Sequence, residues 1–596
     1  MRTAQTILTV IQTRGNQKLP LEKLYKMLFN KELYLIAYSR LYANKGAMTK
    51  GVTEETVDGM SIKKIDKLID DIRHERYKWS AVRRVHIPKK NGKTRPLGIP
   101  TWSDKLLQEV LRLILEAYYE PQFNGSSHGF RPNRGCHTAL SEIQTWKGTK
   151  WFIEGDISKY FDTINHEVLL QTLSQSIHDN RFIRLISGLL EAGYLEDWKY
   201  GKTLSGTPQG GIISPLLANI YLNTFDNWVE NVMIPKYNKG KKQKANSEYS
   251  RLSRKIEKHT KSGDFKTARK LKIERRNYPS INTQDCNYRR LRYIRYADDF
   301  ILGFTGSKHE AEEIKAEIGA FLKSELKLDL SEEKTLITHA STESARFLGY
   351  DVKVQMANDY IDPTGRRGVN GVIGLFVPSS VIDKKCVEYM KNGKTIHRGK
   401  LLHDDDFSIV RTYQSEYSGV VQYYILAQNV SWLSRLFWIM QGSLLKTLAC
   451  KNRSSMMKMK NKYASETTDS KTGKTLKCLK VVIERENKKP LVAQFGGISL
   501  SHQKHAVIDD TPYKVWGGRT ELVKRLLADT CEICGSSEDV AVHHIRKLAD
   551  LKTKGKKEKP IWVQMMATRR RKTLVVCQNC HVAIHNGTHI GNKSLK

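Results

Sequence analysis

The stretch that decides the fold is LRYIRYADDFILGF, residues 291–304, in which two acidic residues separate two apolar runs. Residues 293–296 and 300–304 are rich in aromatic and aliphatic side chains, so they predict a hairpin with a tight turn. Asp298 and Asp299 lie at that turn, where apolar strands on both sides would fix their positions. Adjacent acids at a turn are also common on solvated surfaces, so a metal site requires a further acid.

The further acid is Asp156, which ends a second predicted strand, WFIEGDI, residues 151–157. Carboxylate oxygens are the hard ligands that Mg²⁺ prefers. Two Mg²⁺ ions about 4 Å apart can activate a 3′-hydroxyl and hold a leaving phosphate. Asp156, Asp298 and Asp299 are therefore candidate ligands of a two-magnesium site.

Composition restricts the class of protein. A chain of 596 residues predicts about three to five domains. Lysine and arginine number 100 and aspartate and glutamate 62, and the resulting charge of +38 indicates a polyanionic partner, either nucleic acid or an anionic membrane. No run approaches the roughly 18 apolar residues of a membrane span, and the N-terminus lacks a signal-peptide core. The cysteines are therefore expected to be reduced, and a membrane protein, a secreted protein and a disordered polycation are disfavoured.

The positive charge and the cysteines are unevenly distributed. Residues 236–276 carry 16 basic and 4 acidic side chains, and residues 531–596 carry 13 and 5. The first stretch has few large apolar residues and is interpreted as a charged, partly helical insertion, either in contact with nucleic-acid phosphates or simply solvated. Five cysteines are scattered, whereas the other four form two Cys-x-x-Cys pairs within the second stretch.

Periodicity predicts a mixture of helices and hairpins. Asn91-Gly92 is a strong turn signal inside a hairpin over residues 83–99. Residues 452–480 are polar and rich in lysine, which is typical of a linker. Helices are predicted over residues 18–43, 104–119, 166–195, 405–450 and 519–528. Antiparallel hairpins interspersed with helices indicate an α+β fold rather than a regular βαβ series.

Several motifs follow one another in a diagnostic order. They are Gly155-Asp156-Ile157-x3-Phe161-Asp162, Thr207-Pro208-Gln209-Gly210-Gly211-x2-Ser214-Pro215-x2-Ala218-Asn219, Tyr296-Ala297-Asp298-Asp299 and Phe347-Leu348-Gly349-Tyr350. This ordered set resembles the reverse transcriptase of group II intron-encoded proteins, and the resemblance covers about residues 20–350. The ordered set is far more specific than any one short motif.

The resemblance implies a palm in which Asp156, Asp298 and Asp299 bind two Mg²⁺ ions. It implies nucleotide-binding roles for Lys89, Arg95, Phe161 and Gln209. Lys89 and Arg95 would hold the triphosphate, for which arginine offers bidentate contacts. Phe161 would exclude a ribose 2′-hydroxyl, with core packing as its alternative role. Gln209 would help to place the nucleotide.

Residues 376–462 resemble the thumb, or maturase domain, of the same family. The similarity is carried by residues 417–424 and 443–451, and most of the apolar positions there are interpreted as core. Lys446 and Lys451 are candidate nucleic-acid contacts, with ordinary surface lysines as the alternative.

The spacing Cys531-x2-Cys534-x42-Cys577-x2-Cys580 is typical of a structural zinc site with four cysteine ligands. A domain of this small size needs such a cross-link. The spacing therefore predicts one structural Zn²⁺.

Histidines accompany both cysteine pairs, as His543-His544 and as His581 and His585, four residues apart. On a helix the latter pair faces one way. The arrangement resembles an HNH-type endonuclease, which implies that His544 is the general base and that His543, His581 and His585 bind one divalent metal, with Mg²⁺ the expected ion. The alternative is that some of these histidines only support the cysteine pairs. The central asparagine of the motif is missing before Cys577, and Asn579 lies between the cysteines instead.

The fold expected from these features is α+β and multidomain: a right-hand polymerase with fingers and palm, an α-helical thumb and a small zinc-stapled ββα-metal (HNH) domain. The predicted units are residues 1–80 (N-terminal extension), 81–375 (fingers and palm), 376–462 (thumb), 463–528 (DNA-binding region or linker) and 529–596 (nuclease).

The function implied by the resemblance is threefold: RNA-directed DNA polymerase, splicing maturase and site-specific DNA endonuclease, supporting intron mobility by target-primed reverse transcription. Its expected partners are intron RNA, target DNA and dNTPs, with no membrane. It is expected in the cytoplasm of a bacterium, or in an organelle, and at the nucleoid when it acts on DNA. The alternatives are a maturase without polymerase activity, another kind of reverse transcriptase such as a retron enzyme, and a plain homing endonuclease.

Overall fold

The computed structural model describes residues 2–88, 92, 94–196, 199–201, 206, 210–282, 284–361, 368–469, 473–486, 488–508, 520–551 and 559–587. Helices and antiparallel strands are interspersed along the chain, so the α+β prediction is confirmed. Among the described residues, no helix combines the length and the apolar character that a bilayer crossing requires.

The N-terminal region is helical but does not contain the single helix predicted over residues 18–43. Lys23 adopts a left-handed conformation with φ of 55°, and Asn30 caps the next helix by accepting the backbone N–H of Glu32. The prediction is wrong because these residues interrupt the helical hydrogen-bond ladder. The elements are helices Ala4–Asn16, Lys31–Leu41 and Ile62–Arg73, the 3₁₀ turn Leu24–Phe29, and strands Leu21–Glu22 and Met60–Ser61.

The next unit starts with the predicted hairpin, which the structure confirms as strands Val82–Pro88 and Thr94–Ile99. Short strands Tyr194–Glu196 and Lys199–Gly201 extend its sheet. The helix Trp102–Tyr119 follows the hairpin in the chain, as predicted over residues 104–119, and most of its side chains are buried.

The central sheet has four antiparallel strands in the order Ile337–His339, Trp151–Asp156, Asp299–Phe304 and Leu291–Tyr296. The hairpin and the strand predicted around the three aspartates are therefore confirmed. The surrounding helices are Cys136–Ile143, Tyr160–Thr163, His166–Ser174, Asn180–Glu191, Ser214–Trp228, Ile234–Tyr237 and Lys308–Leu326, with the short strand Ile177–His178, the 3₁₀ turn Glu120–Gln122 and the π turn Val229–Met233.

The basic insertion forms a helical hairpin. Its helices Ser247–Lys261 and Phe265–Arg275 bury only Leu252, Ile256 and Ala268, so most of their charged side chains face solvent. This confirms the partly helical character predicted for residues 236–276.

A second sheet, Ala345–Phe347, Tyr350–Val354 and Ile373–Phe376, leads into the thumb. The thumb elements are helices Ser379–Val387, Asp406–Tyr423, Ser434–Lys451 and Met456–Tyr463, 3₁₀ turns Gly399–Leu401 and Val430–Leu433, and strands Met390–Lys391 and Lys394–Thr395. These elements share one buried core with the second sheet.

The described residues of the segment predicted to be a linker, 452–469 and 473–480, are folded instead. A helix, Met456–Tyr463, leads into a three-stranded sheet, Ala464–Thr468, Thr475–Arg485 and Lys488–Gly496. Phe495 of this sheet is fully buried and stacks on Phe437 of the thumb with ring centroids 5.4 Å apart. The linker prediction is wrong because the apolar side chains on one face of the sheet pack on the thumb, which extends that unit to Gly496.

The C-terminal unit contains strands Val540–His544 and Thr573–Cys577, helices Glu521–Leu527, Ile561–Thr568 and Gln578–His585, and the 3₁₀ turn Leu548–Leu551. It does not stand alone, because the N-terminal strand Met60–Ser61 pairs with Val540–His544 and forms a third strand of its sheet. Val542 and Val575 accordingly belong to the same buried cluster as the N-terminal helices.

Candidate active sites

The three predicted aspartates meet at one end of the central sheet. Asp299 lies directly opposite Asp156 across the antiparallel ladder, and Asp298 occupies the two-residue turn beside them. Opposite positions on neighbouring strands place Cβ atoms about 4.5–5.5 Å apart on the same face. The sequence therefore brings together three carboxylates from segments more than 140 residues apart, as predicted.

The carboxylates strongly influence one another. Asp299 reaches solvent at the edge of the cleft, yet partial loss of water raises its pKa to about 7, and repulsion from Asp298 and Asp156 adds to the rise. Burial also raises the pKa of Asp298, against the attraction of Lys334 and Arg95. Three acids with shared charge repulsion form a site that cations stabilise, so the donor set fits Mg²⁺.

A buried ion pair holds the turn that carries Asp298. Arg295 and Asp226 are both fully buried, and the guanidinium binds the carboxylate with two hydrogen bonds of 2.7 and 2.6 Å. A third guanidinium hydrogen bond, 2.8 Å long, reaches the backbone carbonyl of Ala297. Ala297 has φ of 56°, in the left-handed region, so this contact supports a strained residue next to the aspartates.

The loop that contains Gly129 packs closely against the backbone of this turn. A Cβ on Gly129 would lie 2.4 Å from the backbone nitrogen of Ala297, so only glycine fits there. The Asn219 side chain donates to the Gly129 carbonyl at 2.8 Å and accepts from Arg295 at 3.1 Å. Asn219, singled out as a motif residue, therefore connects this loop to the buried ion pair.

The residues predicted to bind the nucleotide lie only partly within the described chain. Arg95 is exposed on the hairpin strand, and its positive charge partly opposes the burial that raises the pKa of Asp298. Phe161 is half-buried on the short helix Tyr160–Thr163 and packs against the main core. Lys89 and Gln209 lie outside the described residues.

Sequence analysis missed Lys334. Its ammonium nitrogen lies 2.8 Å from an Asp156 carboxylate oxygen, and the side chain is 65% exposed. It lies between the helix Lys308–Leu326 and the strand Ile337–His339, in a segment with no recognisable motif, so only the folded chain associates it with the aspartates.

The two thumb lysines have internal partners. Lys446 donates to the Thr395 carbonyl at 2.6 Å, and Lys451 pairs with Asp406 at 2.6 Å. These contacts give each lysine a structural role, and the nucleic-acid contact stays a prediction.

The four paired cysteines converge. The sulfur atoms of Cys531, Cys534, Cys577 and Cys580 all lie within 4.8 Å of one another, and no disulfide joins them. Burial raises the pKa of the Cys580 thiol, and its three sulfur neighbours raise it further. Four soft sulfur donors at such distances are typical of the donor set that binds Zn²⁺.

The histidines converge at the edge of the C-terminal sheet, together with an unexpected acid. Ligand atoms of His543, His581, His585 and Asp58 all lie within 4.8 Å of one another. Burial would raise the pKa of Asp58, but the surrounding histidines and the His544 backbone N–H outweigh it and lower that pKa. The N-terminal Asp58 was missed because it is 485 residues from the first histidine and belongs to no metal motif.

The predicted base, His544, is buried beside this cluster. Its Nε2 lies 2.9 Å from the Tyr38 hydroxyl, and its backbone N–H donates to Asp58 at 2.7 Å. Burial lowers its pKa to about 3, with partial opposition from Asp58, so the ring is neutral near pH 7. A neutral imidazole has the protonation state that a general base needs.

A basic cavity adjoins His544. Its volume is about 670 Å³, and it lies between the N-terminal region and the nuclease unit. The cationic residues that line it are Lys45, Arg525, Arg546, Lys547, Arg571 and Lys572. Such a concentration of positive charge favours the phosphate backbone of a nucleic acid.

Comparisons with known proteins agree along the whole chain. The family model for reverse transcriptase (RNA-dependent DNA polymerase) matches residues 87–352, that for the type II intron maturase residues 379–500, and that for the AI2M/AI1M-like HNH endonuclease residues 531–581. The chain is 39% identical over 582 residues to the group II intron-encoded protein LtrA of Lactococcus lactis subsp. cremoris, which covers 94% of this chain and 95% of that protein. It is 33% identical over 603 residues to the putative COX1/OXI3 intron 1 protein of Saccharomyces cerevisiae, with 94% and 69% covered.

The aspartate-bearing sheet and the matched domains define a reverse transcriptase joined to a maturase domain and an HNH endonuclease domain. At this identity and coverage, the chain belongs to the family of group II intron-encoded proteins. The resemblance drawn from the sequence motifs is thus confirmed, as is the threefold function: reverse transcriptase, maturase and endonuclease.

We expect the buried ion pair to be needed both for stability and for catalytic geometry. Arg295→Met leaves the Asp226 carboxylate buried and unpaired, which costs about 3–5 kcal/mol. Hydrogen exchange of the central strands measures this loss. The double variant Arg295→Met/Asp226→Leu should recover most of the stability but not primer extension, because the Ala297 carbonyl still lacks its donor.

The matched control is Arg435→Met, which removes an exposed ion pair with Asp383. That change should cost less than about 1 kcal/mol. Equal exchange rates in the single and double variants, or full primer extension by the double variant, would contradict the role given to Arg295.

Proposed function

We propose that Asp156, Asp298 and Asp299 bind two Mg²⁺ ions and form the polymerase centre of this protein. The observation that carries the proposal is their convergence at one end of the central sheet, where burial and repulsion between the acids raise the pKa values of Asp298 and Asp299. When bound, such ions activate a primer 3′-hydroxyl and neutralise the leaving pyrophosphate. The chain contributes the rigid hairpin that holds the carboxylates and the buried Arg295 that holds the turn.

Around this centre, Arg95 and Lys89 would bind the triphosphate of the incoming dNTP. Phe161 would exclude a 2′-hydroxyl and Gln209 would position the nucleotide, as the family resemblance implies. The exposed position of Arg95 near Asp298 supports its part in this arrangement. The half-buried Phe161 is compatible with both a nucleotide contact and core packing.

In the nuclease domain, His543, His581 and His585 would bind one divalent cation, and His544 would accept the proton of the attacking water. The cation, when bound, polarises the phosphodiester and stabilises the leaving oxygen. The neutral state of His544 and the basic cavity beside it support a role in cleaving DNA. The four cysteines would bind one structural Zn²⁺ that joins both ends of this small domain.

These sites together support target-primed reverse transcription in a ribonucleoprotein with intron RNA. The nuclease would cut one DNA strand, and the polymerase would extend the new 3′ end on the RNA template. The basic helical hairpin of residues 247–275 offers a surface for nucleic-acid phosphates, because nearly all of its cationic side chains are exposed.

The second candidate function is a maturase that has lost polymerase activity. The maturase family model matches the thumb, and this match supports the second candidate. The three aspartates favour polymerisation, since a maturase without it would have no need to keep carboxylates at the cost of mutual repulsion.

Asp298→Ala should reduce primer extension on an RNA template in Mg²⁺ by more than about 100-fold. Loss of a group that only supports a metal ligand typically costs about 10- to 100-fold, and loss of a ligand itself should cost more. Splicing of the intron RNA should persist, since the thumb is untouched. The control is Glu332→Ala, which removes an exposed acid two positions before Lys334. Wild-type protein that splices but does not extend primers would favour the maturase without polymerase activity.

His544→Ala should reduce DNA nicking by about 100-fold or more, because general-base assistance contributes 10²–10⁴-fold. Primer extension should be unchanged. The control is His309→Ala, whose side chain is 82% exposed on a polymerase helix. Nicking by the His544→Ala protein at the wild-type rate would place the general base elsewhere.

Cys531→Ser should release about one zinc per chain, measured by elemental analysis, because each thiolate is a ligand of a four-coordinate site. Cys286→Ser is the control, since that thiol is exposed and remote from the cluster. Equal zinc content in both variants would exclude the cysteine cluster as the zinc site.

A further inference from the structure

Asp58 is brought to the nuclease site by strand pairing between two domains. The Gly59 N–H donates to the Val542 carbonyl at 2.9 Å, and the next residue, Met60, pairs with Val542 in the shared sheet. A Cβ on Gly59 would lie 3.5 Å from the His581 ring, so the turn packs closely on the histidines. The backbone register therefore fixes Asp58 beside the cluster, independently of its side-chain contacts.

The donor atoms have the spacing of a four-coordinate cation site. One Asp58 oxygen lies 2.8 Å from His585 Nε2, and the other lies 3.2 Å from His581 Nε2 and 3.4 Å from His543 Nδ1. Bonds of 2.0–2.1 Å to a tetrahedral ion separate neighbouring ligand atoms by about 3.4 Å. Small shifts would accommodate a cation among these four groups.

His543 supplies an independent sign that this cluster holds an ion. Its side chain is 4% exposed, and within the described part of the chain neither ring nitrogen makes a hydrogen bond. Nδ1 lies 3.4 Å from an Asp58 oxygen without the geometry of a hydrogen bond. Buried polar atoms that make no hydrogen bond are costly, and each one needs an explanation. A cation bound to a His543 ring nitrogen would remove part of this cost.

We propose that Asp58 is a fourth protein ligand of the nuclease cation, and that the cation thereby clamps the N-terminal region over the nuclease site. The proposal rests on the assignment of His543, His581 and His585 to that cation in the proposed function. It adds a ligand from the polymerase half of the chain, so the two catalytic units share one metal site.

With a four-coordinate ion such as Zn²⁺ or Co²⁺, a site with four protein ligands is closed, whereas a catalytic metal keeps a position open for water or substrate. The general base is blocked in the same conformation, because the Tyr38 hydroxyl is hydrogen-bonded to His544 Nε2. Both contacts come from the N-terminal region. A DNA phosphate oxygen, also an anionic ligand, would have to replace the Asp58 carboxylate before cleavage.

The test uses the full chain with one equivalent of zinc on the cysteines and Co²⁺ as the probe for the histidine cluster. Wild-type protein should give the intense visible spectrum of four-coordinate Co²⁺, without the thiolate charge-transfer bands that leakage into the cysteine site would produce. Asp58→Ala and Asp58→Asn should bind Co²⁺ about 10- to 100-fold more weakly and lose the four-coordinate spectrum. At saturating Co²⁺, both variants should nick duplex DNA several-fold faster than the wild type.

Retention of one zinc per chain shows that the nuclease domain of each variant is folded. Asp66→Ala, which removes an exposed carboxylate of the same N-terminal region, should match the wild type in both assays. Wild-type Co²⁺ affinity and spectrum in the Asp58 variants would overturn the fourth ligand, and unchanged or slower nicking would overturn the closed state. Wild-type Co²⁺ binding by His585→Ala would instead overturn the histidine assignment in the proposed function.

Discussion

The polymerase site depends on one buried ion pair. Arg295 and Asp226 are removed from water completely, and that is tolerable only because the pair is bidentate and every other direction of the guanidinium meets a further acceptor. One of these acceptors is the carbonyl of Ala297, the strained residue of the catalytic turn. The buried ion pair thereby fixes the backbone that places Asp298 beside Asp299 and Asp156.

The same constraint explains residues around the turn that take no part in the chemistry. Gly129 is required by the approach of its loop to Ala297, where a Cβ would lie 2.4 Å from the backbone nitrogen. Asn219 joins the loop to the arginine. These residues contact either the turn or the arginine that holds it. A substitution at either of them would therefore move the carboxylates, although neither of these residues contacts a carboxylate.

Sequence patterns predicted much of the fold and of both sites. The hairpins over residues 83–99 and 291–304 have turn residues between strand-forming segments. Such local signals predict the structure correctly because they do not depend on distant contacts. The paired cysteines and the histidines at i and i+4 likewise have local spacing. Two predictions were wrong: a continuous helix over residues 18–43 and a linker over residues 452–480. The helix is interrupted by a new cap at Asn30, and the linker segment folds because Phe495 of its sheet packs against the thumb. Neither a cap geometry nor a distant packing partner is visible in local periodicity.

The sequence by itself determined the family, the three converging aspartates, the four cysteines and the histidines, because each is specified by residue type and short spacing. Only the tertiary structure decided which buried charge supports the catalytic turn, that Lys334 lies beside Asp156, and that Asp58 reaches the histidine cluster. Those relations join residues from about 70 to 530 positions apart. They follow from strand register and packing between domains, which no local pattern encodes.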